Sequence, residues 1–245
     1  MKRMLIVLVL LSLVLSACTA VAPAPAAPAA EATAAAEATT EAAGEAAAPA
    51  AEGGNTYVLV PKNLGNPYFD AANTGAQEAA GELGVTVLYQ GSSTADATEQ
   101  IQLINSLIAQ QVNGLAISAN DSDALVPAGQ EAIAAGIPVV SWDSAIAPEG
   151  RTLHINQADA EGIGRTQVQM ISEIIGGKGK IAILSATSTA PNQNEWIKWM
   201  EDELTKPEYA DIELVATVYG DDEDEKSYNE MMGLMKTYPD LVGVI

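Results

Sequence analysis

Tyr57-Val58-Leu59-Val60, a polar loop, a helical stretch from Pro67 to Leu83, and Val85-Thr86-Val87-Leu88-Tyr89 form the passage that decides the fold. Tyr57 to Val60 is continuously apolar, as expected of a strand buried on both faces. Gly84 ends the helical stretch, because glycine readily takes the left-handed conformation that closes a helix. A strand, a crossover helix and a second strand make a βαβ unit, whose two strands run parallel.

Toward the C-terminus the same alternation continues. A helix over about Ala95 to Gln111 carries Ile101, Ile104, Leu107 and Ile108, three and four residues apart on one buried face. Leu115-Ala116-Ile117-Ser118 reads as a third strand, Asp123 to Ala135 as a helix ending at Gly136, and Pro138 to Trp142 as a fourth strand. The pattern then restarts. Thr152 to Ile155 reads as a short strand and Asp159 to Ile175 as a helix closed by Gly176-Gly177. Lys180 to Ser185 is a strand, Asn192 to Leu204 a helix, and Glu213 to Tyr219 a strand. A helix over about Glu225 to Lys236 and a strand from Val242 to Ile245 follow. The fold class is therefore α/β: two doubly wound parallel-sheet lobes, over residues 56–147 and 148–245. The last strand has no helix after it, so the second lobe is expected to be truncated at its C-terminal end.

Toward the N-terminus, Lys2 and Arg3 precede the almost wholly apolar run Met4 to Leu15, and Leu15-Ser16-Ala17-Cys18 follow. Residues 1–18 read as a secretory signal whose apolar core is short for a membrane span. Small residues ending in cysteine resemble a bacterial lipobox, which makes Cys18 the lipidated residue. An ordinary signal with a chance cysteine, or a short membrane anchor, is the alternative. Cys18 is the only cysteine, so no internal disulfide forms. Residues 19–55, rich in Ala, Pro, Glu and Thr, are read as a flexible spacer that builds no core.

Composition excludes several classes of function. With 11 basic and 32 acidic residues the formal charge is −21, so no basic footprint for nucleic acid exists. His154 is the only histidine, which rules out a His-based metal cluster and leaves one candidate for a catalytic triad. No Gly-x-Ser-x-Gly elbow accompanies it. No enzymatic activity, cofactor or metal is expected. Gly176 to Lys180 precedes a strand instead of following one, so it is a helix terminus and no phosphate loop. Asp221 to Glu225 lacks the glycine and distal glutamate of a calcium loop and reads as a solvated approach to a helix.

Ligands of open parallel sheets bind beyond the carboxyl ends of the strands. The loops there begin at Pro61, Gln90, Ala119, Trp142, Ala186 and Gly220, and they are rich in amides, carboxylates, hydroxyls and aromatics. That set suits a sugar, whose hydroxyls both donate and accept and whose C–H face packs on aromatic rings.

Five segments carry a family resemblance: Val60-Pro61-Lys62, Asn66-Pro67-Tyr68-Phe69-Asp70, Ser118-Ala119-Asn120-Asp121, Ser141-Trp142-Asp143-Ser144 and Asn192-Gln193-Asn194-Glu195-Trp196. From Thr56 onward the chain resembles the periplasmic sugar-binding proteins of ABC importers, of the ribose type. Within them it is most similar to the rhamnose-binding and autoinducer-2-binding branch. The resemblance implies a type I periplasmic binding protein fold, two lobes hinged around a ligand cleft. It also implies an extracytoplasmic receptor that delivers a monosaccharide to an ABC permease, while the lipid anchor is read from residues 1–18 and the spacer alone.

By the same likeness Lys62 contacts ligand oxygens, Asp143 accepts from ligand hydroxyls, Gln193 reaches in from the second lobe, and Tyr68 and Phe69 line the cleft. Asn120 and Asn192 complete the candidate set. Autoinducer-2 receptors carry aspartate where this chain has Asn192, which favours L-rhamnose; an autoinducer-2 receptor, or a receptor coupled to chemosensing, is the alternative. Asp143 also suits a turn, Lys62 a surface site and Asn192 a helix N-cap. Trp196 and Trp199, three residues apart on one helix, read as packing residues, and Trp142 as core or cleft wall.

Overall fold

The computed structural model describes residues 54–245; Cys18 and almost all of the 19–55 spacer lie outside them. The first half contains β1 (Thr56–Val60), α1 (Pro67–Leu83), β2 (Thr86–Tyr89), α2 (Ala97–Ala109), β3 (Gly114–Ile117), α3 (Val126–Ala134), β4 (Val139–Trp142) and β5 (Leu153–Ile155). These strands form one sheet of order β2-β1-β3-β4-β5, parallel throughout. The second half contains α4 (Ala160–Ile175), β6 (Gly179–Ser185), α5 (Pro191–Leu204), β7 (Ile212–Tyr219), α6 (Asp224–Thr237) and β8 (Leu241–Val244). Here the sheet order is β7-β6-β8, again parallel.

Each sheet buries its own apolar strand residues against helices. Val58, Val60, Leu115, Ile117 and Val139 cluster with Ile104 and Leu107 of α2 and Ala128 and Ala132 of α3. In the second core Ile181 and Ile183 of β6 join Val168 and Ile171 of α4 and Met200 of α5. Strand order explains where a ligand fits. Winding reverses beside β1 in one sheet and beside β6 in the other, and crevices open at such reversals beyond the strand ends. The loops after β1, β3 and β6 are the ones that carry Lys62, Asn120 and the approach to Asn192.

The expectation that Thr152 to Ile155 opens the second lobe is corrected. β5 pairs with β4, Ser141 opposite His154, so the chain passes to the second sheet only after Ile155. Leu153 and Ile155 are about half exposed, as befits an edge strand, and a short apolar run carries no mark of the sheet it joins. Asp159 then caps α4, its carboxylate accepting from the Gly162 N–H at 2.8 Å. The N-cap reading of Asn192 is also corrected. Ala190 occupies the cap of α5 without a side-chain bond and Pro191 fills the first turn, so Asn192 lies inside the helix.

α4 and α5 approach closely at Gly164. A Cβ there would lie 2.5 Å from the Trp196 carbonyl oxygen and 2.6 Å from the Trp199 Cβ. Gly164→Ala is expected to destabilise the fold by about 1–3 kcal/mol, read as a lower urea midpoint at unchanged slope.

The same interface holds an ion-pair cluster. Glu203, 1 % exposed, takes Arg165 at 2.8 Å, Lys206 at 2.6 Å and the Tyr209 hydroxyl at 3.3 Å. Arg165 also pairs with Glu161 and Asp202, each at 2.8 Å, and lies 4.8 Å from the centre of the Trp199 ring. Trp199 is thus a packing residue.

Candidate functional site

Side chains from both sheets converge on a cleft of about 410 Å³, a size suited to a small organic ligand. Lys62, Tyr68, Phe69 and Asp143 line it from the first half; Asn192, Gln193, Ile163, Trp196 and Asp222 line it from the second. Asn66, the N-cap of α1, and Gln157 and Ala158, on the connection between the sheets, complete the lining.

Asp143 is the hub. Its Oδ2 accepts from the Ser118 hydroxyl at 2.7 Å, and its Oδ1 from Gln157 Nε2 at 3.1 Å, Asn192 Nδ2 at 3.1 Å and the Tyr68 hydroxyl at 3.2 Å. Its φ is +57°, a left-handed conformation costing of order 1–3 kcal/mol that persists where surroundings hold it. The carboxylate is bonded to side chains of other segments, so it does not merely cap its own turn.

Lys62 is 3 % exposed, which removes the surface reading. Its Nζ donates to Asn192 Oδ1 at 2.9 Å, and among the described residues it forms no ion pair. Burial pushes its pKa down, while the charges of Asp143 and Asp222 pull the other way.

Tyr68 stands about half exposed at the mouth; burial, then the neighbouring Asp143 charge, pushes its phenol up to about 12. It therefore donates at neutral pH. Phe69 is buried, edge-on to Tyr68 at 5.2 Å and to Trp142 at 5.8 Å. Trp142, half-buried, packs against Phe69.

Asn192 bridges the halves: it gives its amide N–H to Asp143 and receives the Lys62 ammonium on its carbonyl. Gln193 is anchored through Oε1, which accepts from Ser185 Oγ at 2.8 Å and the Ala186 N–H at 2.6 Å.

Asn120 is not among the cleft residues. Its Nδ2 donates to the Lys62 carbonyl at 2.9 Å, and its N–H donates to Gln100 Oε1 at 3.0 Å. Gln100 in turn donates to the carbonyls of Pro61 and Ser118 at 3.0 and 2.8 Å. At this crowded strand reversal the carboxamides of Asn120 and Gln100 satisfy backbone groups that no strand pairs. Asn120 therefore positions the Lys62 loop from behind.

Gln157, Ile163 and Asp222 of the cleft escaped the sequence reading, and Trp196, read as a packing residue, lines it too. Gln157 lies on the inter-sheet connection and not on a strand-end loop. Asp222 sits at the end of β7 but within the acidic run read as solvated. That expectation is corrected for Asp222: burial, above all, raises its pKa, with the Lys62 charge opposing.

The arrangement presents two surfaces. Lys62, Asp143, Asn192, Gln193 and Asp222 supply donors and acceptors, while Tyr68, Phe69, Ile163 and Trp196 supply an apolar wall. Among the described residues no group of three or more His, Cys, Asp or Glu side chains is placed to hold a metal ion.

The periplasmic binding protein domain family matches residues 57–245. A solute-binding protein of an ABC transporter from Clostridium phytofermentas, solved with bound L-rhamnose, is 36 % identical, with a TM-score of 0.76 over 78 % of this chain and 60 % of that one. LsrB from Clostridium saccharobutylicum, solved in complex with AI-2, is 27 % identical, with a TM-score of 0.73 over 77 % of this chain and 61 % of its own. The D-apiose import binding protein of Actinobacillus succinogenes is 25 % identical over 195 residues, 80 % of this chain and 62 % of that protein. The chain thus spans about three fifths of the length of these relatives.

Proposed function

This chain belongs to the periplasmic binding protein family, and on that premise we propose that it captures a monosaccharide, L-rhamnose, for an ABC importer. The observation that carries this reading is the mixed lining of the cleft, in which hydrogen-bonding and aromatic or apolar side chains from both halves meet. The polar side chains offer acceptors and donors to ring hydroxyls, and Tyr68, Phe69, Ile163 and Trp196 offer apolar surface to a ring face and to the methyl group of a 6-deoxy sugar. The relative solved with L-rhamnose supports the choice. So does Asn192, whose amide gives one donor and one acceptor where a carboxylate gives acceptors alone.

The site residues bind and orient a ligand, in keeping with relatives that are solute-binding and import binding proteins, so we read the protein as a receptor and not an enzyme. Its location is extracytoplasmic, with Cys18 as the lipid anchor and a membrane permease as the partner that takes the loaded form. Cys18→Ser is expected to move the protein from the membrane pellet to the soluble fraction, checked by fractionation and immunoblot.

Isothermal titration of the full chain against L-rhamnose, autoinducer-2 and D-ribose tests the ligand. Heat with rhamnose and weaker or no heat with the others is the expected result. Binding of autoinducer-2 without binding of rhamnose overturns it.

A further inference from the structure

We propose that Asp222 is a ligand-binding carboxylate that grips, from the second sheet, the same sugar hydroxyl that Lys62 grips from the first. The inference rests on the sugar-receptor reading above and adds a residue to its site.

Asp221 and Asp222 both lie in the left-handed region, with φ of +55° and +58°, a strained conformation for two successive residues that carry side chains. Asp221 has its own explanation. Its carboxylate pairs with Lys226, and its N–H donates to the Ala186 carbonyl at 3.1 Å. The Asp222 carboxylate has none: among the described residues it accepts no hydrogen bond and forms no ion pair. It is nonetheless turned into the cleft that Lys62 lines from the opposite side. Among the described residues Lys62, nearly fully buried, has one partner, the Asn192 carbonyl oxygen, for its three N–H donors. Each group thus lacks what the other's neighbour can supply. A hydroxyl between them accepts from the ammonium and donates to the carboxylate, giving each a partner without any proton transfer. The strain at Asp222 then has a use, since it aims the carboxylate at the cleft instead of at solvent.

The test is titration calorimetry on wild type, Asp222→Ala and Asp222→Gly with L-rhamnose and its monodeoxy analogues. Asp222→Gly removes the carboxylate and relieves the backbone, so its unliganded thermal midpoint should equal or exceed that of the wild type. Both variants should bind rhamnose about 10- to 100-fold more weakly, the range for a hydrogen bond to a charged group. The monodeoxy analogue that weakens wild-type binding most should weaken the variants little further, because the hydroxyl and the carboxylate are one interaction. Equal rhamnose affinity in wild type and variants overturns the assignment of Asp222 while leaving the receptor reading intact. A wild type that binds none of these sugars overturns both.

Discussion

Asp143→Ala abolishes sugar binding: the dissociation constant is expected to rise at least about 100-fold, the loss of two or more hydrogen bonds to a charged acceptor. The reasoning begins with the backbone. Position 143 lies at φ +57°, which aspartate and asparagine tolerate and alanine resists. Removing the carboxylate also strips a partner from Ser118, Tyr68, Gln157 and Asn192 together. The cleft then loses both an acceptor for ligand hydroxyls and the group that organises its neighbours. Asp143→Asn separates the two effects. It keeps size and backbone preference but places an amide N–H₂ against donors, so it should fold like the wild type and still bind poorly. Titration calorimetry with circular dichroism checks both variants. Wild-type affinity in Asp143→Asn would mean that the negative charge is dispensable.

The largest effect on stability is expected from Glu203→Ala, a loss of about 2–4 kcal/mol in urea unfolding. Glu203 is 1 % exposed and receives Arg165, Lys206, Tyr209 and Gln169. Truncation leaves a cavity between α4 and α5 and unpartnered donors around it. Arg165 keeps Glu161 and Asp202, which holds the loss below that of a fully isolated buried charge.

Glu203 also gives the fold an acid dependence. Burial alone pushes its pKa up, yet hydrogen bonds from Lys206, Arg165 and Gln169 outweigh this and hold it at about 2, against 4.5 for an ordinary glutamate. A carboxyl with a lowered folded pKa stabilises fully above its unfolded value and loses that contribution as pH falls through its folded one. The stability gap between wild type and Glu203→Gln should therefore be widest at neutral pH and narrow between about pH 4.5 and pH 2. Urea midpoints at pH 7 and pH 3 check it; a gap that is constant with pH would detach the effect from the charge.

Much of this architecture was legible from residue pattern. The strand runs at Tyr57 to Val60 and Lys180 to Ser185, and the helix stops at Gly84 and Gly176, fall where the structure has them, because burial and left-handed caps are local demands. Sheet membership is not local. Leu153 to Ile155 carries the same apolar signal on either sheet, and only its pairing with β4 decides. The site shows the same division. Lys62, Tyr68, Phe69, Asp143, Asn192 and Gln193 converge as the strand-end rule and the family likeness implied. Asn120 shares their loop position but turns toward backbone groups, a choice made by crowding at the β1–β3 reversal. Asp222 was hidden by its company, since the adjacent acidic residues give the composition of a solvated loop.

The amide of Asn192 has a thermodynamic consequence. Its two ends are already bonded to Asp143 and Lys62 before any sugar hydroxyl approaches either group. At these two bonds capture is therefore an exchange of partners, in which a hydroxyl takes over a bond that the protein was making to itself, whereas at the spare N–H donors of Lys62 it adds one. Such swaps nearly cancel in enthalpy, so selectivity among sugars is set by which stereoisomer can take over both ends at once.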